Sequence, residues 1–86
     1  MKTINQNFEQ MKDKVLKTRE EEGIFSIRLN LVGMWELSFT DQGDVFVLSD
    51  DDTGHAVNFE SVELVLGEIK KLGGLGFTTQ IDTDNL

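Results

Sequence analysis

Residues 24–49 read IFSIRLNLVGMWELSFTDQGDVFVLS, and this stretch decides the fold class. Phe25, Ile27, Leu29 and Leu31 alternate with Ser26, Arg28 and Asn30. Successive side chains of an extended chain point to opposite faces, so the spacing predicts a strand over 24–32 with one buried face. Gly33 breaks the run. Alternation resumes over 34–39, where Trp35, Leu37 and Phe39 oppose Met34, Glu36 and Ser38. Thr40-Asp41-Gln42-Gly43-Asp44 reads as a turn, with Gly43 suited to positive φ. Val45, Phe46, Val47 and Leu48 are apolar on both faces, which predicts a central strand over 45–49.

Working outward, Asp50-Asp51-Asp52-Thr53-Gly54 is a further turn, and 55–59 a short fourth strand. Val62, Val65, Leu66, Ile69 and Leu72 share one face at helical spacing, which predicts a helix over 60–72. Glu60 and Glu63 in its first turn and Lys70 and Lys71 in its last complement the helix dipole, and Gly73-Gly74 ends it. Leu75, Phe77, Thr79 and Ile81 predict a last strand over 75–81, followed by a loose tail over 82–86. Toward the N-terminus, Ile4, Phe8, Met11 and Val15 form one stripe widened by Leu16. They predict a helix from 4 to about 19, with Thr3 as N-cap and Gly23 as its stop beyond Glu20-Glu21-Glu22. The expected architecture is a single α+β domain over 1–86. Its order is α-β-β-β-β-α-β, an antiparallel meander of four to five strands with two helices.

Composition excludes several classes. The 86 residues include no Cys, so a disulfide scaffold and a thiolate metal site are both excluded. No apolar run approaches the roughly 20 residues of a membrane span. The N-terminal residues carry no apolar signal-peptide core, so a cytoplasmic location is expected. The formal charge is −8, from 16 acidic and 8 basic side chains, which argues against direct nucleic-acid binding because phosphates repel such a surface.

The charge is unevenly placed. Residues 29–69 contain no Lys or Arg and nine acids: Glu36, Asp41, Asp44, Asp50, Asp51, Asp52, Glu60, Glu63 and Glu68. Most fall on turns or on the outer face of the second helix, where they are expected to be exposed. Consecutive turns of a meander lie at opposite ends of the sheet, so the acids form one patch or two poles. Such a surface suits a basic protein partner, with carboxylates standing in for phosphates against Lys and Arg. It also serves solubility, and the residues alone leave both readings open.

Other constellations are weaker. Taking Gly54 as the sixth position of a calcium loop over 49–60 puts Ser49, Asp51 and Thr53 at positions one, three and five and Glu60 at twelve. Ser49 stands where Asp belongs, and a strand precedes the loop where a helix belongs. His55 is the single His; Asp52 is near it in sequence, but a turn His beside Asp is common and catalysis also needs a reacting partner, so a surface strand residue is expected. Gly73-Gly74-Leu75-Gly76 follows a helix, whereas a phosphate-binding loop precedes one. No cofactor is expected, and the chain reads as a non-enzyme. On the second helix Leu64 points away from the apolar stripe, beside Gly67 and Lys71, and offers a contact for another chain. The first helix packs on its own sheet or pairs with a second copy, so a monomer or a homodimer is expected.

Residues Trp35 to Gly74 hold a strand, an acidic turn, a strand, Asn58-Phe59-Glu60-Ser61 and a helix ending in Leu-Gly-Gly. This arrangement, under half the chain, resembles small acidic accessory proteins of phages and plasmids. The resemblance implies an inhibitor that occupies a basic nucleic-acid-binding surface, as anti-CRISPR proteins do. The residues expected to meet such a partner are Glu36, Asp41, Asp44, Asp50, Asp51, Asp52, Glu60, Glu63 and Leu64. The other readings are a homo-oligomeric interaction module and a calcium-binding module through 49–60.

Overall fold

The structure is a computed structural model that describes residues 1–83. The chain runs β1 (Thr3–Gln6), α1 (Phe8–Leu16), β2 (Gly23–Leu29), β3 (Trp35–Asp41), β4 (Asp44–Leu48), α2 (Val62–Lys71) and β5 (Thr78–Asp82). The five strands form one sheet in the order β1-β4-β3-β2-β5. The fold is α+β with two helices, as the pattern implied, but the sheet is mixed. β2, β3 and β4 form an antiparallel meander, while β1 pairs parallel with β4 and β5 pairs parallel with β2.

The N-terminal correction has a local cause. Thr3 does not cap a helix, because residues 3–6 are a strand in register with 45–48. Asn7 is the cap. Its side chain accepts from the Gln10 N–H at 2.8 Å, and Gln10 Oε1 accepts from the Asn7 N–H at 2.9 Å. This reciprocal capping box satisfies two orphan donors and fixes where the helix begins. Lys17 ends the helix, well before the expected Gly23, which is instead the first residue of β2. Leu16 does not widen the buried stripe and lies exposed. β4 is paired on both edges, with β3 on one side and β1 on the other.

The expected strand over 55–59 is absent. Ser49 bridges Ala56 and Trp35 bridges Phe59, but no ladder forms between them. β2 ends at Leu29, short of the expected 32, because Asn30 turns the chain. The last strand begins at Thr78, not 75, and Asp82, placed in the expected tail, pairs in register with Arg28. The rest of that tail, 84–86, lies outside the described residues.

Both helices lie on one face of the sheet. Met11 and Val15 from α1 and Val65 and Ile69 from α2 meet Phe25, Ile27, Leu37, Phe39, Phe46 and Leu48 in one core. Leu66, assigned to the buried stripe by spacing, is exposed. Phe25, Phe39 and Phe77 pack ring to ring, with centroids 4.7, 5.8 and 5.4 Å apart, in edge-on and tilted geometries that aromatic rings favour. Gly74 is required here, since a Cβ would collide with the Phe25 ring. The opposite sheet face carries Thr3, Ser26, Ser38, Thr40, Val45 and Val47, and no helix among the described residues covers it. A recess of about 210 Å³ opens on it beside Arg28 and Glu36.

Candidate functional site: an acidic end of the sheet

The topology separates the acids into two groups. Asp41 and Asp44 flank the β3–β4 turn. Asp50, Asp51 and Asp52 follow β4, at the opposite end of that strand. Glu60 and Glu63 join this second group, because Phe59 pairs with Trp35 at the start of β3 through two 2.8 Å hydrogen bonds. Glu36 is the next residue of β3. The acids therefore form two poles, and the two poles differ in chemistry.

At the β3–β4 pole the acids serve the fold. Gln42 (φ 53°) and Gly43 (φ 84°) both adopt positive φ, the geometry of a two-residue hairpin turn matched to strand twist. Asp41, expected to be exposed, is 6% exposed. Its Oδ2 pairs with Lys14 Nζ at 2.8 Å and so ties α1 to the sheet. The same ammonium lies 5.0 Å from the centroid of the Phe46 ring. Asp44 is half-buried, and its Oδ1 accepts from the Lys2 N–H at 3.2 Å.

At the other pole the acids face solvent. Asp50 organises the loop: its Oδ1 accepts from the backbone N–H groups of Asp52 (2.7 Å) and Thr53 (3.4 Å). The Asp50 N–H donates to the His55 carbonyl at 2.8 Å, and Gly54, at φ 72°, closes the loop back on the Asp50 carbonyl at 2.8 Å. Asn7 Nδ2 donates to Asp51 Oδ1 at 2.8 Å, and Asn5 Nδ2 to the Gly54 carbonyl at 3.0 Å. Asp50, Asp51, Asp52, Glu60 and Glu63 are exposed, and Glu36 is half-buried. Ser61 caps α2 by accepting from the Leu64 N–H at 3.2 Å, and Glu63 lies in the first turn that follows. A polar recess of about 150 Å³ lies between Gln6, Gln10 and Asp51.

Loop 49–60 does not gather its carboxylates inward. Ser49 is buried, and its hydroxyl donates to the Val47 carbonyl at 3.0 Å. Among the described residues no group of three or more His, Cys, Asp or Glu side chains is placed to hold a metal ion. Among them, no helix is long and apolar enough to cross a membrane. Leu64 is 55% exposed on the outer face of α2, beside Gly67, around which space is open. The stripe of α1 lies in the protein's own core through Met11 and Val15.

The tip of the β2–β3 hairpin departs from the sequence pattern. Leu31 and Val32, at the tip of the β2–β3 hairpin, are 90% and 76% exposed. Leu31 fits the strand alternation so well that the pattern extends the strand through it. The signal that overrules it is Asn30 three residues before Gly33. Asn30 Oδ1 accepts from the N–H groups of Val32 (3.1 Å) and Met34 (2.9 Å), and Gly33 takes φ 81°. Asn side chains favour such self-made turns.

The fold and surface thus define a two-layer α+β domain with one bare sheet face and one acidic end. Compared with protein-family models, curated proteins and solved structures, the chain matches none.

Proposed function

We propose that the chain is a small binding protein whose acidic end, Asp50, Asp51, Asp52, Glu60 and Glu63 with Glu36 beside them, engages a basic nucleic-acid-binding site on a protein partner. In this reading it acts as an inhibitor by occupancy, not as an enzyme. One observation carries the proposal: Asp50, Asp51, Asp52, Glu60 and Glu63 are exposed and, among the described residues, none of the five makes an ion pair. Exposed like charges on one end of a domain repel one another and lower stability slightly, so a partner rich in Lys and Arg gains from meeting them. Asp41 and Asp44 are set aside, because they lie at the other pole, where Asp41 is buried in an ion pair with Lys14 and Asp44 is half-buried.

The test is affinity capture from host lysate with wild type and with Asp50/Asp51/Asp52→Asn, at low and high salt. The reading expects a nucleic-acid-binding protein that both salt and the substitutions release, and that oligonucleotide displaces. A partner retained through all three treatments would sink it.

A second reading rests on Leu64 and Gly67, which offer a close-approach surface to a second copy. Light scattering across a concentration series tests it: a dimer that Leu64→Glu dissolves supports this reading, and a monomer throughout removes it.

A further inference from the structure

The hairpin tip adds something that charge alone does not. Two large apolar side chains in succession, Leu31 and Val32, stand almost fully in solvent. Single exposed apolar residues are ordinary, but here the backbone that carries them is held in place. Beyond its two bonds to the turn, Asn30 donates through Nδ2 to Glu36 Oε2 and to Asn58 Oδ1, both at 3.0 Å. The Asn30 N–H donates to the Met34 carbonyl at 2.8 Å, and the Gly33 N–H to the Asn30 carbonyl at 3.1 Å. One side chain therefore braces the tip and joins it to the segment leading into Glu60. Presenting Leu31 and Val32 costs little ordering entropy on binding, which is how preorganised contacts gain affinity.

We infer that Leu31 and Val32 are the apolar anchor of the acidic end, and that they seat on an apolar platform bordered by Lys and Arg. This inference rests on the reading proposed above and names the chemistry of its partner more closely. Sites for single-stranded nucleic acid combine a basic groove, which tracks phosphates, with aromatic platforms, on which bases stack. The tip takes the place of the bases, and Glu36, Glu60 and the Asp50–Asp52 loop take the place of the phosphates. Charge selects this occupant over two others. A membrane with anionic headgroups repels the carboxylates around the tip. A second copy meeting tip to tip brings two acidic ends together.

Two synthetic helical peptides of equal positive charge test the inference. One carries Lys with Leu at i, i+3 and i+4 spacing; the other replaces every Leu with Ser. Binding is followed by fluorescence anisotropy at about 0.15 M salt, where exposed charges are screened beyond roughly 8 Å. Wild type is expected to bind the Lys/Leu peptide about ten-fold more tightly than the Lys/Ser peptide, the scale set by burying one or two aliphatic side chains. Leu31→Ser/Val32→Ser is expected to bring the two affinities together while keeping the salt dependence and the melting temperature. Leu64→Ser is expected to keep the preference. Equal binding of both peptides by wild type, or a preference that survives in the tip variant, overturns the inference but leaves the charge reading standing. No binding of either peptide at low salt removes both. Wild type that binds phosphatidylglycerol vesicles through Leu31 and Val32 overturns the inference in favour of a lipid surface.

Discussion

The two ends of the sheet carry the same residue types and use them in opposite ways. At the β3–β4 turn, Asp41 is buried and bonded to Lys14, and Asp44 accepts from the Lys2 backbone. Across the sheet, Asp51 and Asp52 lie in solvent and make no ion pair among the described residues. Density of acid in the sequence is equal in kind at both places. The nearest cation separates them. A carboxylate that the fold has already paired is part of the structure, and one that it leaves unpaired is available to another molecule.

The largest expected effect tests that division directly. Asp41→Ala removes one partner of a pair whose carboxylate is buried and whose ammonium is partly exposed. Breaking a fully buried pair costs about 3–5 kcal/mol. Two features reduce this: Lys14 can turn toward water, and Asp41 Oδ1 is buried with no hydrogen-bond partner among the described residues, so its removal relieves a cost. A loss of about 2 kcal/mol is expected in urea denaturation. If Asp41→Ala unfolds at the same urea concentration as wild type, the two ends do not differ as described.

The next effect sharpens the other end. Asn30→Ala leaves the hairpin without its brace and strips the amides of Val32 and Met34 of an acceptor. Those amides are near the surface and regain water, so about 1 kcal/mol is expected in the same denaturation experiment. Hydrogen exchange at Val32 and Met34 is expected to quicken, while exchange in β4 stays unchanged. An unchanged rate at Val32 would mean that the tip is ordered by something other than Asn30.

The antiparallel core of the fold was legible because period two is a strong signal. Trp35, Leu37 and Phe39 face the core as their spacing required, and so do Phe25 and Ile27. What was not legible was pairing between distant segments. Ile4 and Phe8 satisfy a helical stripe, yet Ile4 lies opposite Phe46 in a parallel ladder. Short apolar segments fit either period, and here the cap at Asn7 decides between them. For the site, turn positions left one patch and two poles both open, and nothing in the pattern signalled the burial of Asp41. It depends on Lys14, 27 positions away in sequence and one bond away in space.

Asn7 sits where helix cap and acidic loop meet, and its substitution is the third test. Asn7→Ala loses the cap of α1 and the bond to Asp51 Oδ1. Cap removal costs about 1 kcal/mol. Asn7→Ser keeps a capping oxygen but does not reach Asp51, so the difference between the two variants isolates the cap, and the difference between Asn7→Ser and wild type isolates the loop contact. Most of the loss is expected to return with Ser, which would show that the cap, not the acidic loop, supports the fold. Recovery of none of it would make Asp51 a structural carboxylate like Asp41.

The smallest effect carries the opposite sign, and that makes it informative. Asp52 gives its backbone N–H to Asp50, and its carboxylate makes no bond among the described residues. It stands beside Asp50 and Asp51, so the fold holds three like charges in one turn. Two unit charges about 4 Å apart in water repel by about 1 kcal/mol, and spacing and salt reduce this. Asp52→Asn is therefore expected to raise stability by up to about 0.5 kcal/mol at low salt, and the gain is expected to shrink as salt is added. Thermal melts of wild type and Asp52→Asn at two salt concentrations measure it. Asp41→Ala, compared in the same melts, is expected to stay destabilised at both. Should Asp52→Asn lower the melting temperature at low salt, the turn would be relying on that carboxylate, and the acidic end would have no charge to spare for a partner.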